Sequence, residues 1–390
     1  MKVIIADDDD LQRAILSAAL TRIGHSPIEA SDGAQAFDLL CEHNASILVC
    51  DLNMPGMDGN ALTQKVRATI RDRYVHIIMV TGHDQKSVRH HALQLGVDEF
   101  MGKPIEAATL NARISTTERL VQHEELIQEK NRILEEAQRI IEQDLKAAAQ
   151  AQQRLLPAPR INGPHCSFFS AFVPSSYVSG DMFATFQLPD GRTGFYAMDV
   201  SGHGVSAALL SVAIGHLVTT EYFARHSIDD DGTPDPARLA KTLNDRFFHD
   251  DSEDYFTFFC AILDHETQML HFCQAGYPSP MVVSPGGTIH EIGDGGYPVA
   301  LLPDVDFISS RVALAVDETL VLFSDGATEA EDAHSVAFGQ ERLSQVIEAA
   351  RARDVTSIPD AIVSALRAWR GQRSLDDDLT VLVCQRRLPE

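Results

Sequence analysis

Acidic residues at four separated places carry the strongest chemical signal in this chain. Asp199 lies within residues 194–210, GFYAMDVSGHGVSAALL, where an apolar, strand-like run delivers one carboxylate into a turn containing Gly202 and Gly204. An Ala- and Leu-rich run that reads as a helix follows. A strand ending this way presents an acid and a main-chain carbonyl to a hard cation, although the same residues also serve simply to shape a tight turn. Asp181 in SGDMF, Asp325 in LVLFSDGATEA, and Asp376, Asp377 and Asp378 in LDDDLTVLV each flank a further apolar β-type run. Separated strand-edge acids suit a pair of divalent cations, because Mg²⁺ and Mn²⁺ take oxygen ligands, keep several waters and need few carboxylates each. Two such ions lower the pKa of a water between them and clamp phosphoryl oxygens, so phosphomonoester hydrolysis then needs no side-chain nucleophile. The cysteines agree, since none sits in a phosphate-cradling loop.

A second constellation lies near the N-terminus. The apolar run KVIIA ends in Asp7, Asp8, Asp9 and Asp10; SILVC ends in Asp51; HIIMV ends in Thr81; VDEFM is followed by Gly102, Lys103 and Pro104. A run of four acids is commonly a solvated cluster or a helix cap. Here acids, a hydroxyl and a lysine recur at the carboxyl ends of successive strands in a β/α alternation, where doubly wound folds place ligands. Grouped carboxylates would hold Mg²⁺, while Thr and Lys would hold the oxygens of a phosphoryl group on another carboxylate.

That set resembles a two-component receiver domain over residues 1–118. The resemblance implies Asp51 as phosphoacceptor, Asp7, Asp8, Asp51 and the Asn53 carbonyl as Mg²⁺ ligands, and Thr81 and Phe100 as switch residues. It also implies Lys103 as the phosphate contact, followed by a cis bond to Pro104, and a sensor histidine kinase or phosphotransfer protein as partner. The C-terminal segments occur in the order and wording of the SpoIIE-like branch of the PPM serine/threonine phosphatases, over residues 152–387. That resemblance implies two Mn²⁺ or Mg²⁺ ions held by Asp181, Asp199, the Val200 carbonyl, Asp325 and Asp377, with Asp378 the rival for the last place. Gly276, in CQAGYPSP, belongs to another family segment near the site, where His often stands at the position of Tyr277. Ala184 stands where many relatives carry a second acid, and Ser179 where many carry Gly. His203, in SGHG, reads as a ligand, a general acid or a turn-stabilising residue. The family commonly acts on phosphorylated anti-sigma-factor antagonists in partner switching, so a phosphoserine or phosphothreonine protein of that kind is the expected substrate. A non-catalytic adaptor, using a phosphatase-like domain as a docking surface, is the alternative; all the acidic segments surviving here argues against it.

The elements that must position these residues follow from composition. The chain has 390 residues, enough for two or three domains, and 44% hydrophobic content, ample for real cores. A net charge of −24 argues against nucleic-acid and anionic-membrane partners. Six cysteines without C-x-x-C spacing read as reduced thiols in a cytoplasmic protein. No signal peptide opens the chain and no apolar run approaches a membrane span. Residues 105–156 contain no Gly or Pro and are rich in Glu, Gln, Lys, Arg and Ala, which predicts a long helix ending at Pro157. Leu120, Ile127, Leu134, Ile141, Ala148 and Leu155 recur every seven residues, with Leu126, Ile133 and Ile140 beside three of them. The companion positions His123, Lys130 and Asp144 are polar. The seam supports a parallel coiled-coil homodimer, with packing against one of the domains as the rival.

The expected fold class is α/β: a doubly wound, flavodoxin-like receiver at 1–118, a helical linker at 119–156, and an α/β-sandwich phosphatase domain at 157–390. Within the last, one helix is expected over 206–223 and a strand over 312–316.

Overall fold

The computed structural model describes residues 1–82, 86–202, 204–251, 253–371 and 373–388, the side chains of 86–89 excepted. His203 therefore lies outside the described residues. The chain divides into two compact units, Met1–Ile140 and Ile141–Glu390.

The first unit alternates β1 (Lys2–Ala6), α1 (Asp10–Arg22), β2 (Ser26–Ala30), α2 (Gly33–His43), β3 (Ile47–Asp51), α3 (Gly59–Thr69), β4 (His76–Thr81), α4 (Lys86–Gln94), β5 (Glu99–Gly102) and the start of α5 (Ala107–Gln153). The five strands are parallel in the order β2-β1-β3-β4-β5, so the sheet is doubly wound. Strands β3 and β4 are apolar almost throughout and fully buried, as a parallel sheet covered on both faces requires. Helix α1 begins only at Asp10 because Asp9 caps it, its carboxylate accepting from the Leu11 and Gln12 amides. That leaves Asp7 and Asp8 in the turn at the sheet's carboxyl edge. Leu110, Ile114 and Val121 of α5 belong to this unit's core. Further along α5, Leu126, Ile127, Ile133, Leu134, Ile140 and Ile141 are exposed.

In the second unit the last turns of α5 are followed by β6 (Arg160–Asn162), β7 (Cys166–Val173), β8 (Met182–Gln187), β9 (Thr193–Val200), α6 (Val205–Leu217), α7 (Thr220–Ser227), α8 (Pro236–Phe247), β10 (Phe256–Asp264) and β11 (Met269–Ala275). Then come β12 (Met281–Val283), β13 (Ile289–Glu291), β14 (Ser309–Ala313), β15 (Thr319–Phe323), α9 (Gly326–Glu329), α10 (Gly339–Arg351), α11 (Ile358–Arg370) and β16 (Leu379–Arg386). Two antiparallel sheets form, β14-β11-β10-β9-β8 and β13-β12-β15-β16-β7-β6. Period-2 alternation decides their faces. On β9, Phe195 and Ala197 enter the core between the sheets, with Phe168, Leu322 and Leu382 of the other sheet. Tyr196, Met198 and Val200 face outward onto α6, α7 and α8. The outer face of the second sheet is covered by α10 and α11.

Two expectations shift. The single helix expected over 206–223 is two, α6 and α7, bent by 78°; Thr219 caps the second, its hydroxyl accepting from the Tyr222 amide. The strand expected over 312–316 runs from Ser309 to Ala313, in register with β11. Among the described residues no single helix is long and apolar enough to cross a membrane.

Candidate functional site

In the first unit, oxygens of Asp7, Asp8 and Asp51 lie within 4.8 Å of one another. Asp51 ends β3 and Asp7 follows β1, so the parallel pairing of those strands brings them together. Gly59, opening α3, is close enough to the Asp51 carbonyl that a Cβ there would meet that oxygen at 2.5 Å, which fixes the turn carrying Asn53. Asn53 itself is exposed. The Lys103 ammonium donates to Asp51 Oδ2 at 2.8 Å and to Asp7 Oδ2 at 2.9 Å. Burial alone would lower the lysine's pKa; the bonds to Asp51 and Asp7 outweigh it and hold it raised. The Lys103–Pro104 bond is cis. Thr81 ends β4, buried, and Phe100 lies half-buried on β5. Asp7, Asp8, Asp51, Asn53, Thr81 and Lys103 are thus at the carboxyl edge of one sheet, while Phe100 lies within β5, paired with Met79 of β4.

In the second unit the four acidic segments converge. Asp181 directly precedes β8, Asp199 is the penultimate residue of β9, Asp325 follows β15, and Asp377 precedes β16. Asp181 is fully buried, and neither of its carboxylate oxygens has a hydrogen-bond partner; one Asp325 oxygen is in the same position. Burial, then the carboxylates of Asp181, Asp325 and Asp377, push Asp199 up to about 10. Burial, with the carboxylates of Asp378 and Asp325 adding to it, pushes Asp181 up to about 7. Asp325 is pushed up to about 6 by burial and by Asp377. Among the described residues no lysine or arginine neutralises Asp181, Asp199 or Asp325. Buried acids without a counter-charge are costly, and these oxygens fit hard divalent cations.

Two glycines let the segments meet. A Cβ on Gly180 would lie 2.9 Å from the Val200 carbonyl oxygen, and one on Gly326 would lie 2.2 Å from that of Asp378. Each precedes or follows an acid of the cluster, so the Gly-Asp and Asp-Gly wording records close backbone approach. The three adjacent acids before β16 separate by their partners. Asp376 is bound by the buried Arg370 guanidinium, which holds its carboxyl low. Asp378 is buried; its Oδ1 accepts from the Ser175 amide at 2.7 Å and hydroxyl at 2.9 Å, and its Oδ2 accepts from the Gly180 amide at 2.8 Å. Asp377 is the one whose charge acts on both Asp199 and Asp325. A cleft of about 230 Å³ opens beside it, lined by Gly326, Glu329, Glu331 and Leu375. A larger groove, of about 440 Å³ around Arg192 and His265, lies at the other end of β9.

Ser179 has a role that its sequence position did not disclose: its hydroxyl accepts from the Asp181 amide at 3.0 Å. Ala184 is half-buried on β8, packed against the core under α6. Gly276 adopts φ 74° and pairs with Phe258, next to the Thr257 that lies opposite Asp199. Sequence reasoning missed Gln152, in the last turn of α5. It is buried, donates to the Ser179 carbonyl at 2.6 Å and to the Ser211 hydroxyl of α6 at 3.1 Å, and accepts from the Ser179 amide at 3.0 Å. Nothing in local pattern separates it from its neighbours Gln150 and Gln153.

Comparison with known proteins agrees with both units. Residues 189–387 match the family model of Stage II sporulation protein E (SpoIIE), and residues 3–115 that of the response regulator receiver domain. A chemotaxis protein CheY homolog of Campylobacter jejuni is 37% identical over 116 residues, 29% of this chain and 89% of that protein. The phosphoserine phosphatase RsbP of Bacillus subtilis is 27% identical over 192 residues, 48% of this chain and 45% of that protein, so this chain spans less than half of that relative. The solved SiaA-PP2C domain of Pseudomonas aeruginosa superposes with a TM-score of 0.54 at 22% identity, over 64% of this chain and 98% of that domain, which shows a shared fold.

Proposed function

Because the chain belongs to the SpoIIE family and carries a response regulator receiver domain ahead of that phosphatase-type domain, we propose a response regulator with a metal-dependent protein serine/threonine phosphatase output. The observation that carries the proposal is the convergence of Asp181, Asp199, Asp325 and Asp377, three of them buried or half-buried with no cationic partner among the described residues. With the Val200 carbonyl they form the ligand set for two Mn²⁺ or Mg²⁺ ions, and Asp378 is structural. Ions bound there supply an ionised water at neutral pH and neutralise the phosphoryl oxygens. The chain's own residues set the geometry: Gly180 and Gly326 allow the approach, Ser179 orients Asp181, and Asp378 ties residues 175 and 180 to β16.

At the first unit, Asp51 accepts a phosphoryl group from a histidine kinase or phosphotransfer protein. Asp7, Asp8 and the Asn53 carbonyl hold Mg²⁺ beside it. Lys103, already on Asp51, bonds the new phosphate, and Thr81 and Phe100 respond as switch residues. The receiver (1–118) acts through the linker (119–156), which dimerises through its exposed apolar seam, on the phosphatase domain (157–390). The net charge of −24 suits a substrate recruited by protein docking, with a single phosphoserine or phosphothreonine entering the site. An anti-sigma-factor antagonist is the proposed substrate, by analogy with the family.

The test is the rate on an aryl phosphate with Mn²⁺, with and without acetyl phosphate. Turnover that needs metal, changes with the donor, and no longer changes in Asp51→Ala is the expected result. Absence of turnover in every state, on a phosphorylated protein substrate as well, would leave the domain as a docking surface.

A further inference from the structure

Tyr277 is among the largest fully buried side chains of the second unit, 1% exposed, in the core between the two sheets. Its hydroxyl oxygen is buried and has no hydrogen-bond partner. Its position is fixed from two sides. Gly276 pairs with Phe258 of β10, the neighbour of Thr257, which lies opposite Asp199. The Tyr277 carbonyl accepts from the Gln274 side-chain amide at 2.6 Å. Besides burial, the groups that raise the phenol's pKa are Asp181, Asp199 and Asp325, in that order. The backbone pairing of Gly276 beside the Thr257–Asp199 pair sets this unbonded O–H donor in the same interior as both Asp181 oxygens and one Asp325 oxygen, which are unbonded too. A phenylalanine would fill the same space among Phe259, Phe272 and Leu314 without leaving a polar atom unsatisfied. The hydroxyl is explained if it donates to an oxygen of the loaded centre.

We propose that Tyr277 is a positioning residue of the metal centre, its hydroxyl donating to a carboxylate or water oxygen there and orienting the acids for the cations. This rests on the metal-centre reading above. A donor behind a first ligand fixes the ligand's orientation, and its loss typically weakens metal binding about 10- to 100-fold. The cations would be Mn²⁺ or Mg²⁺, and no covalent step is involved.

The experiment uses the full-length chain carrying Asp8→Ala, which removes the receiver's cation site. Free Mn²⁺ is followed by its electron paramagnetic resonance signal, and tyrosine absorption is followed as Mg²⁺ is added. In this parent we expect saturable Mn²⁺ binding, abolished by Asp325→Ala, and a tyrosine difference spectrum on Mg²⁺ loading. Adding Tyr277→Phe should raise the Mn²⁺ dissociation constant about tenfold or more and remove the difference spectrum, with unfolding in the absence of metal unchanged or shifted to higher denaturant. A parent with no tyrosine difference spectrum would overturn the inference without any variant. So would Tyr277→Phe binding Mn²⁺ within about twofold of the parent, the margin set against the tenfold expectation. If Asp325→Ala binds as the parent does, the metal-centre reading itself fails, and the inference with it.

Discussion

At the scale of the residue, the three adjacent acids before β16 show how partners assign roles that spelling leaves open. Asp378 accepts three hydrogen bonds, from the Ser175 amide and hydroxyl and the Gly180 amide, in a buried position. Truncating it strands those donors, so Asp378→Ala should destabilise the second unit by about 3 kcal/mol, read as a lower urea midpoint without metal. Asp377 is exposed at the cleft. Asp377→Ala should leave that midpoint within about 0.5 kcal/mol and instead weaken Mn²⁺ binding. The reverse pattern would move the ligand to Asp378. The acid-bearing segments themselves were legible in the sequence because each stands at the edge of an apolar, strand-like run, with glycine next to Asp181 and Asp325. The choice among Asp376, Asp377 and Asp378 was not, because Arg370 and Ser175 reach these acids from other elements, Ser175 from far off in the chain.

At the scale of the element, α5 is held at its far end by one polar side chain. Gln152 bonds both the amide and the carbonyl of Ser179, two residues from Asp181, and also the Ser211 hydroxyl of α6. It therefore ties the end of the linker helix to the segment leading into the acid cluster and to the helix that follows the Val200 turn. Gln152→Ala leaves a buried amide unpaired, while the Ser211 hydroxyl, 3.2 Å away, still serves the Ser179 carbonyl. The expected loss is about 2 kcal/mol of stability, measured by urea unfolding, with a fall in phosphatase rate. A stability loss with no change in rate would confine Gln152 to a structural role. The long helix was legible from the absence of Gly and Pro over residues 105–156, and the receiver from its β/α alternation. The break between α6 and α7 was not, since residues 206–223 are apolar enough to read as one helix, and a single Thr219 cap turns the chain. Gln152 was equally hidden, because a buried polar anchor has no periodicity of its own.

At the scale of the whole molecule, the exposed seam of α5 predicts a reversible dimer. Leu126, Ile127, Ile133, Leu134, Ile140 and Ile141 are each at least 40% exposed in the single chain. Their neighbours Glu129–Arg132 and Glu136–Arg139 pair within the same helix on its solvated face. Two chains burying these half-exposed side chains against each other gain on the order of 10 kcal/mol. The cost of association is about 4–15 kcal/mol. The two are of the same size, so the dimer should form and dissociate with concentration, and a single charge in the seam should decide it. Sedimentation equilibrium of the full chain should therefore show a reversible dimer, and Leu134→Lys should shift it to monomer at the same concentration, with the helical content of the folded units retained. If linker geometry carries the signal, the monomeric variant should also keep its response of Asp51 to acetyl phosphate, read by phosphoprotein mobility, while its phosphatase rate no longer follows that modification. A wild-type chain that remains monomeric at high concentration would remove the dimer, and the coupling would then have to run through the helix within one chain, with Gln152 as its contact to the acid cluster.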